Sequence, residues 1–184
     1  MKKFCLLLAG LLLGCGRSPL NYHLLAPPPP TPSASARAGV YALRQIQLPE
    51  YLREEALIAR GGGSAIVKFP QERWLETLDT ALPAVLQRQL EGAARPATVY
   101  RYPLAPNVKP EAVLDVDLEE FIADLPAGVV HLRASWALGR GEETNPPRRH
   151  FQRDFPLADR QPASLIAAQG EALRALAAAI VATF

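Results

Sequence analysis

The sequence predicts an α/β (α+β) fold, a single domain in which two long helices pack on a mixed, largely antiparallel sheet. The strand signal is clearest along 111–124 and 129–138, where apolar and polar residues alternate. The helix signal lies in 71–90 and 162–183, where apolar residues recur with the spacing of one helical face. A chain of 184 residues suits one domain and is long enough to bury a sizeable core.

Shorter strands are predicted before these segments. Residues 40–48 form a strand that ends at Pro49, because proline cannot donate to a strand ladder. Residues 57–59 and 65–69 flank Gly61-Gly62-Gly63-Ser64, which predicts a β-hairpin with a glycine turn. A phosphate-cradling loop would end in Gly-Lys-Ser/Thr, and this turn does not.

The two clearest strands form a second predicted hairpin around Pro126-Ala127-Gly128. A three-residue loop brings Leu118 opposite Trp136, and the apolar faces of both strands then coincide. Glu120 falls on the apolar side of the alternation, which indicates a bulge or an edge position.

Each predicted helix contains a feature with two interpretations. Trp74 could stack on a ligand, but on an apolar helical stripe we assign it to the core. Pro83 should kink or restart its helix, because it removes a hydrogen bond. The segment 162–183 could be mistaken for a membrane span, but Glu171 and Arg174 interrupt its apolar run. We therefore interpret it as an amphipathic core helix.

The N-terminus has the layout of a secretory signal peptide. Two lysines precede an apolar run, 4–13, that is too short to span a bilayer core of roughly 30 Å as a helix. The run ends in Leu12-Leu13-Gly14-Cys15, which resembles the bacterial lipobox, in which the cysteine is acylated and becomes the new N-terminus. We therefore expect residues 1–14 to be a lipoprotein signal peptide and Cys15 to carry lipid. A plain signal peptide or an uncleaved anchor is the alternative.

The lipobox resemblance also concerns the choice of membrane. In many enteric-type bacteria, an Asp after the acylated cysteine retains a lipoprotein in the inner membrane. Gly16 stands at that position in this sequence. By that resemblance, we expect a lipid-anchored protein on the periplasmic face of the outer membrane.

A proline-rich stretch follows the expected anchor, with four consecutive prolines at 27–30. We assign residues 15–38 to a lipid-anchored N-terminus and Pro-rich linker, and residues 39–184 to the domain. Such a run tends toward extended polyproline II and cannot build a core. It is either a spacer that holds the domain off the membrane or a long loop, the latter if 22–25 already pairs in the sheet.

Charge and cysteine content exclude several classes of function. The chain has 20 basic and 18 acidic side chains, and loss of the two signal-peptide lysines brings the formal charge to zero. Without a basic patch or stripe, nucleic acid is not expected as a partner. Of the two cysteines, Cys5 lies in the signal peptide and Cys15 is the expected lipid site. The mature domain therefore has no disulfide, thiol nucleophile or thiolate metal site.

One polar set comes nearest to a chemical site. Asp115, Asp117 and Glu119 alternate along one predicted strand, with His131 and Arg133 on its neighbour. Alternating carboxylates with a histidine could bind a divalent cation. A solvated sheet face with cross-strand ion pairs is the commoner arrangement, and we favour it. We accordingly predict no metal site and no cofactor.

An enzyme would need a nucleophile and a base held together. The histidines are His23, His131 and His150, and neither a Gly-x-Ser-x-Gly elbow nor a His-Glu-x-x-His pair is present. We therefore predict no catalytic residues and a protein that is not an enzyme.

Several blocks of the mature chain together resemble one known family. They include Leu48-Pro49-Glu50-Tyr51-Leu52, the Trp74-Leu75-Glu76-Thr77-Leu78 block and Leu132-Arg133-Ala134-Ser135-Trp136, with an Ala-rich helix at the end. Behind a lipobox, this combination resembles the ABC-type transport auxiliary lipoproteins, the paraquat-inducible protein C-like family. The long proline run is a departure, since family members often have a shorter connection there.

The resemblance implies a function and partners. Such lipoproteins act beside ABC-type transporters and mammalian-cell-entry (MCE) domain proteins in moving phospholipids between the two bacterial membranes. It implies a non-catalytic outer-membrane component that docks an MCE-domain periplasmic partner, with possible ring-like self-assembly into a homo-oligomer. The alternative is a periplasmic lipid-carrier lipoprotein with its own apolar cavity.

Tyr51 and Leu52 are the candidate partner-binding residues. Pro49 ends a predicted strand, so these two apolar side chains follow where a turn usually has polar ones. We expect both to be exposed and available to a partner.

Overall fold

The computed structural model describes residues 19–34, 38–141, 143 and 145–184. Within these residues, eight strands form one sheet and two long helices cover it, which confirms the predicted fold class. The strands are β1 (Asn21–His23), β2 (Val40–Gln47), β3 (Ala56–Gly62), β4 (Ala65–Trp74), β5 (Thr98–Arg101), β6 (Ala112–Asp124), β7 (Val129–Arg140) and β8 (Arg148–Pro156). The helices are α1 (Leu78–Ala93) and α2 (Pro162–Val181), and a short 3₁₀ helix, Glu50–Arg53, follows β2.

The central strand of the sheet is β6, because it pairs with three others. One of its edges pairs antiparallel with β7, which in turn pairs with β8. Its other edge pairs in parallel with β2 along its first half and with β3 at its end. β5 extends the sheet beyond β2, and β4 followed by β1 extends it beyond β3. The two longest ladders, β6–β7 and β7–β8, are antiparallel.

The predicted hairpin of β6 and β7 is present, but its register differs from the expectation. Val116, not Leu118, lies opposite Trp136. The loop has four residues, because Asp124 already pairs with Val129, and the ladder shifts by another residue just before Glu120. The second shift is the bulge that Glu120 indicated. Before the bulge, the two one-residue shifts add to a slip of two, which keeps those side chains on their expected faces. After the bulge the alternation of β6 is reversed, so Phe121 packs in the core while Glu120 and Ile122 line the opposite face of the sheet.

Both helices lie on the same face of the sheet and enclose the core. α2 packs across β6, β7 and β8, while α1 packs against α2, β5 and the 3₁₀ helix. Burying this apolar surface is the main term that favours the folded state. The largest fully buried side chains are Phe121, Leu43, Leu57, Leu82, Leu90, Leu114, Leu132, Leu165, Leu173, Leu176, Ile180 and Val99.

The first helix begins later than its spacing predicted. Residues 71–74 end β4, and α1 starts at Leu78 with Thr77 as its N-cap. Trp74 is buried as expected, but it lies at the end of a strand, where its backbone N–H donates to the carbonyl of Glu55. Pairing with β1 and β3 therefore overrides the helical spacing of this segment. Pro83 lies inside α1, which continues through it as one element.

The second helix is long and apolar enough to cross a membrane by length and composition. In the folded domain, one face of α2 is buried along its length, including Leu165, Leu173, Leu176 and Ile180. The sheet therefore accounts for the apolar character of α2, and the interpretation as a core helix is confirmed.

Residues before the expected domain boundary at 39 belong to the same sheet. β1 pairs in parallel with the end of β4, with Tyr22 opposite Arg73 and His23 opposite Trp74. Of the two alternatives for the proline run, the long loop is therefore the one observed among the described residues. The run connects the edge strand β1 to the inner strand β2 across the helical side of the domain.

Candidate interaction surfaces

The proline-rich connection is held against both helices; we call residues 25–33 the strap. Leu25 at its start is buried. The side-chain amide of Gln89 in α1 donates to the carbonyl of Pro28 over 3.1 Å. Near the other end, the N–H of Ser33 donates to the carbonyl of Ala93 over 2.8 Å. These contacts tie the strap to the end of α1 at two separate points.

Two helix glycines let the strap approach closely. A methyl group built at Gly92 in α1 would overlap Cγ of Pro30 and lie 2.9 Å from its Cβ. One built at Gly170 in α2 would lie 3.0 Å from Cα of Pro27 and 3.4 Å from the carbonyl oxygen of Ala26. Glycine in a helix interior usually costs about 1 kcal/mol relative to alanine. At these positions, it gives the strap room to pack.

The edge strand β1 is fixed by side chains as well as by its ladder. The amide of Asn21 donates to Glu72 over 2.9 Å, and His23 forms a short contact with the same carboxylate. The hydrogen bonds from His23 and then Asn21 lower the pKa of Glu72 below its ordinary value. These two contacts therefore favour the charged form of Glu72 at this edge of the sheet.

Exposed apolar side chains cluster around β1. Leu20, Tyr22 and Leu24 occupy alternate positions and are 49%, 60% and 58% exposed. Leu75 is 60% exposed and lies beside them, because its N–H donates to the carbonyl of His23. These four make up half of the large exposed apolar residues in the described part of the chain.

The face of the sheet away from the helices carries a network of ion pairs. The carboxylate of Glu120 forms ion pairs with the guanidinium groups of Arg60 at 2.7 Å and of Arg133 at 3.0 Å. The Arg60 guanidinium also lies 3.8 Å from the carboxylate of Asp124. The hydrogen bond from Arg60 to Glu120 raises the pKa of the arginine. The bulge before Glu120 is what turns this carboxylate toward the two arginines, off the apolar side of the strand.

The polar set that suggested a cation site is paired in the same way. Asp115 is bound by Arg44, and Asp117 lies 3.8 Å from Arg148. His131 contacts Asp154 at 2.8 Å. Among the described residues, no group of three or more His, Cys, Asp or Glu side chains is placed to hold a metal ion. The favoured interpretation, a sheet face of cross-strand ion pairs, accounts for these contacts.

The two candidate partner-binding residues differ in exposure. The expectation that both are exposed is wrong for Leu52, which is 3% exposed and belongs to the core below the 3₁₀ helix. In the 3₁₀ helix, the side chains of Tyr51 and Leu52 lie on different sides, and that of Leu52 packs in the core. Tyr51 is half-buried, and its hydroxyl accepts the N–H of Phe121 over 2.8 Å. Burial raises the pKa of the Tyr51 phenol.

Tyr51 nevertheless reaches an open cleft on the charged face. The cleft, of about 460 Å³, is also lined by Arg60, Ile66, Glu120 and Arg133. It combines an aromatic ring, an exposed aliphatic side chain and charges of both signs. Such a combination is typical of protein interfaces, where Tyr and Arg are enriched. Partner binding by Tyr51 and Leu52 stays a prediction.

The space between the helices and the sheet is filled. Ile46, Leu82, Val116, Leu173 and their neighbours enclose a cavity of only about 10 Å³. That volume holds no more than about one water molecule, whereas ligand pockets have roughly 300–1,000 Å³. Within the described part of the chain, this core has no room for an acyl chain, which a carrier with its own cavity would need.

Cys15, the expected lipid site, lies outside the described part of the chain, and its lipidation stays a prediction. The sequence did not predict Gly92, Gly170 and Gln89 as residues that hold the strap. An isolated glycine within a helical pattern usually has a packing reason. That signal was available at both glycines.

The fold is shared with solved structures of very different sequence. A crystal structure of an uncharacterized protein matches with a TM-score of 0.72 at 16% identity, over 89% of this chain and 97% of that chain. Protein XCC0632 from Xanthomonas campestris, described as DUF330, matches with a TM-score of 0.70 at 13% identity, over 89% of this chain and 93% of that one. At these identities, the likeness establishes the fold alone. No curated protein matches the sequence significantly.

The fold and its surfaces thus define a small α/β domain of the architecture seen in XCC0632, with an ion-paired sheet face and a strapped pair of helices. The family described as the ABC-type transport auxiliary lipoprotein component matches residues 22–181, and the chain belongs to this family. The predicted family is therefore confirmed. Its description is that of an auxiliary component of transport and not of an enzyme.

Proposed function

We propose that this protein is a non-catalytic outer-membrane lipoprotein, anchored by lipid on Cys15, that docks an MCE-domain periplasmic partner of an ABC-type transporter for phospholipids. The observation that carries the proposal is the family match over residues 22–181, behind a lipobox. The finer parts of the proposal, namely the phospholipid cargo, the MCE partner and the outer membrane, come from the family resemblance and from Gly16.

The structure supports a docking role through the surfaces it leaves open. In the part of the chain that the structure describes, no helix packs on one face of the sheet, and this face carries the cleft around Tyr51. In that cleft, the guanidinium groups of Arg60 and Arg133 share the single carboxylate of Glu120. Their remaining N–H groups could donate hydrogen bonds to an acidic side chain of a partner. We propose this cleft as the partner-binding site, with Leu52 supporting the 3₁₀ turn from the core.

Self-association into a ring is a further part of the proposal. β1, β5 and β8 each pair with a single strand in the described sheet, so each leaves one edge unpaired. Unpaired edges can accept a strand from another chain. The size of the detergent-purified protein, measured by light scattering, tests whether it is larger than one chain.

The experiment that tests docking is a co-purification from detergent-solubilised membranes, with a tag at the C-terminus. The wild type should recover an MCE-domain protein. Tyr51→Ala should recover much less, whereas Tyr100→Ala, a matched loss of a partly exposed tyrosine at β5, should recover as much as the wild type. Recovery of phospholipid in a fixed ratio, with no envelope protein, would refute the docking role and favour a carrier.

A further inference from the structure

We propose that the edge of the domain around β1 lies on the lipid bilayer and sets the orientation in which the domain meets its partner. The surface consists of Leu20, Tyr22, Leu24 and Leu75, and we call it the β1 edge surface. This inference rests on the proposed lipid at Cys15. It adds a second, non-covalent contact with the membrane, made by the folded domain itself.

Only a short length of chain separates the proposed lipid from the fold. The sheet begins at Asn21, so only residues 16–20 separate Cys15 from a paired strand. Whatever their conformation, the Cα atoms of Cys15 and Asn21 lie within about 20 Å of each other. An anchor at Cys15 therefore holds β1, rather than another edge of the domain, next to the membrane surface.

The strap does not act as a long tether between the lipid and the domain. Residues 25–33 bind α1 and α2 instead of spacing the domain from the membrane. The ladder with β4 and the contacts of Asn21 and His23 with Glu72 fix β1 in turn. The domain is thus attached rigidly from residue 21 onward.

The side chains of the β1 edge surface have the chemistry of a membrane contact. Tyr22 in β1 and Leu24 just after it are exposed, while His23 between them is half-buried and Leu25 is buried. Leucine side chains partition into the acyl region, and tyrosine is enriched at the level of the lipid headgroups. An apolar cluster at the one edge that the anchor brings to the bilayer fits a lipid surface as its occupant.

The test uses single cysteines in the full-length, lipidated protein. The mature chain has no cysteine other than Cys15, which acylation would block. Leu24→Cys and Leu75→Cys report on the β1 edge surface. Ile66→Cys is the matched control, since Ile66 is 51% exposed and lies on β4 about 26 Å along the strand from Trp74, the residue before Leu75. Each protein is spin-labelled and reconstituted into vesicles of phosphatidylethanolamine and phosphatidylglycerol.

The measured quantity is the accessibility of each label to oxygen, relative to a water-soluble nickel complex. On vesicles, this ratio should rise several-fold at positions 24 and 75 and stay unchanged at position 66. Labels at 24 and 75 that remain as hydrated as the label at 66, on protein that floats with the vesicles, would overturn the inference and leave the proposed anchor intact. Protection at 24 and 75 in the unlipidated, mature Cys15→Ala chain, without vesicles or detergent, would identify a second copy as the occupant and would also overturn it. A protein that fails to float would refute the anchor itself.

Discussion

Substitution of Gly92 by alanine should destabilise the domain, although the same change in most helices stabilises. The intrinsic helix preference of alanine is worth about 1 kcal/mol over glycine in a helix interior. At Gly92, the added methyl group would overlap the ring of Pro30. Overpacking of this kind costs about 1–3 kcal/mol, so we expect a net loss near 1 kcal/mol instead of a gain.

A double-mutant cycle with Pro30→Gly separates the two contributions, because that change removes the ring atoms that the methyl group would meet. In the Pro30→Gly background, Gly92→Ala should stabilise by up to about 1 kcal/mol, as in an ordinary helix. The coupling free energy should therefore be about 1–3 kcal/mol, measured by urea denaturation of the mature Cys15→Ala chain. If Gly92→Ala stabilises equally in both backgrounds, the strap does not lie on α1 in solution and the reasoning fails.

Three further outcomes follow from individual contacts. Leu52→Ala should lower the free energy of unfolding by about 2–5 kcal/mol, since the side chain is buried, and an unchanged midpoint in urea would place it at the surface. Tyr51→Phe should cost about 1–2 kcal/mol, because the buried N–H of Phe121 loses its acceptor, and the same denaturation measurement checks it. The depressed pKa of Glu72 means that its charged form contributes stability above the ordinary carboxylate pKa, and that this contribution is lost as pH falls through the folded-state pKa. The stability difference between the wild type and Glu72→Gln should therefore be largest near neutral pH and shrink in acid, and a difference independent of pH would contradict this account.

The elements that the sequence predicted best are those whose pattern depends on one buried face. Up to the bulge before Glu120, β6 and β7 alternate so regularly that their inward faces were assigned correctly, despite a register that differs by two residues. Beyond the bulge, Phe121 and not Ile122 packs in the core, which the simple alternation did not predict. The slip was hidden because the side-chain period of a strand is two, so a shift of two conserves the faces. Loop length and bulge position depend on local backbone geometry, which alternation does not report.

The elements that were misjudged depend on contacts distant in sequence. Residues 71–74 have helical spacing but extend β4, because β1 and β3 pair with them. β5 was not predicted, since four residues beside β2 carry too short a pattern. The strap was left between two alternatives, because a proline run has the same local conformation in a spacer and against a helix pair. In the sequence, only the helix glycines Gly92 and Gly170 indicate that the proline run packs against the helices.

The candidate surfaces were predictable to a smaller extent. Exposure of Tyr51 and Leu52 was inferred from the position after Pro49, but a 3₁₀ turn places neighbouring side chains on different sides, and Leu52 entered the core. The ion-paired sheet face was foreseeable, since alternating carboxylates opposite basic residues usually pair across strands. The choice of Glu120 as the shared acceptor depends on the bulge.

The most direct test of the account is the state of Cys15 in the cell. We would separate the membranes of cells that express the wild type or Cys15→Ala by density gradient, and then measure the mass of the N-terminal peptide. We expect the wild type in the outer-membrane fraction, with acyl chains on a peptide that begins at Cys15, and Cys15→Ala outside that fraction. An unmodified Cys15, or a wild type that stays in the inner membrane, would contradict the proposed anchor or its location.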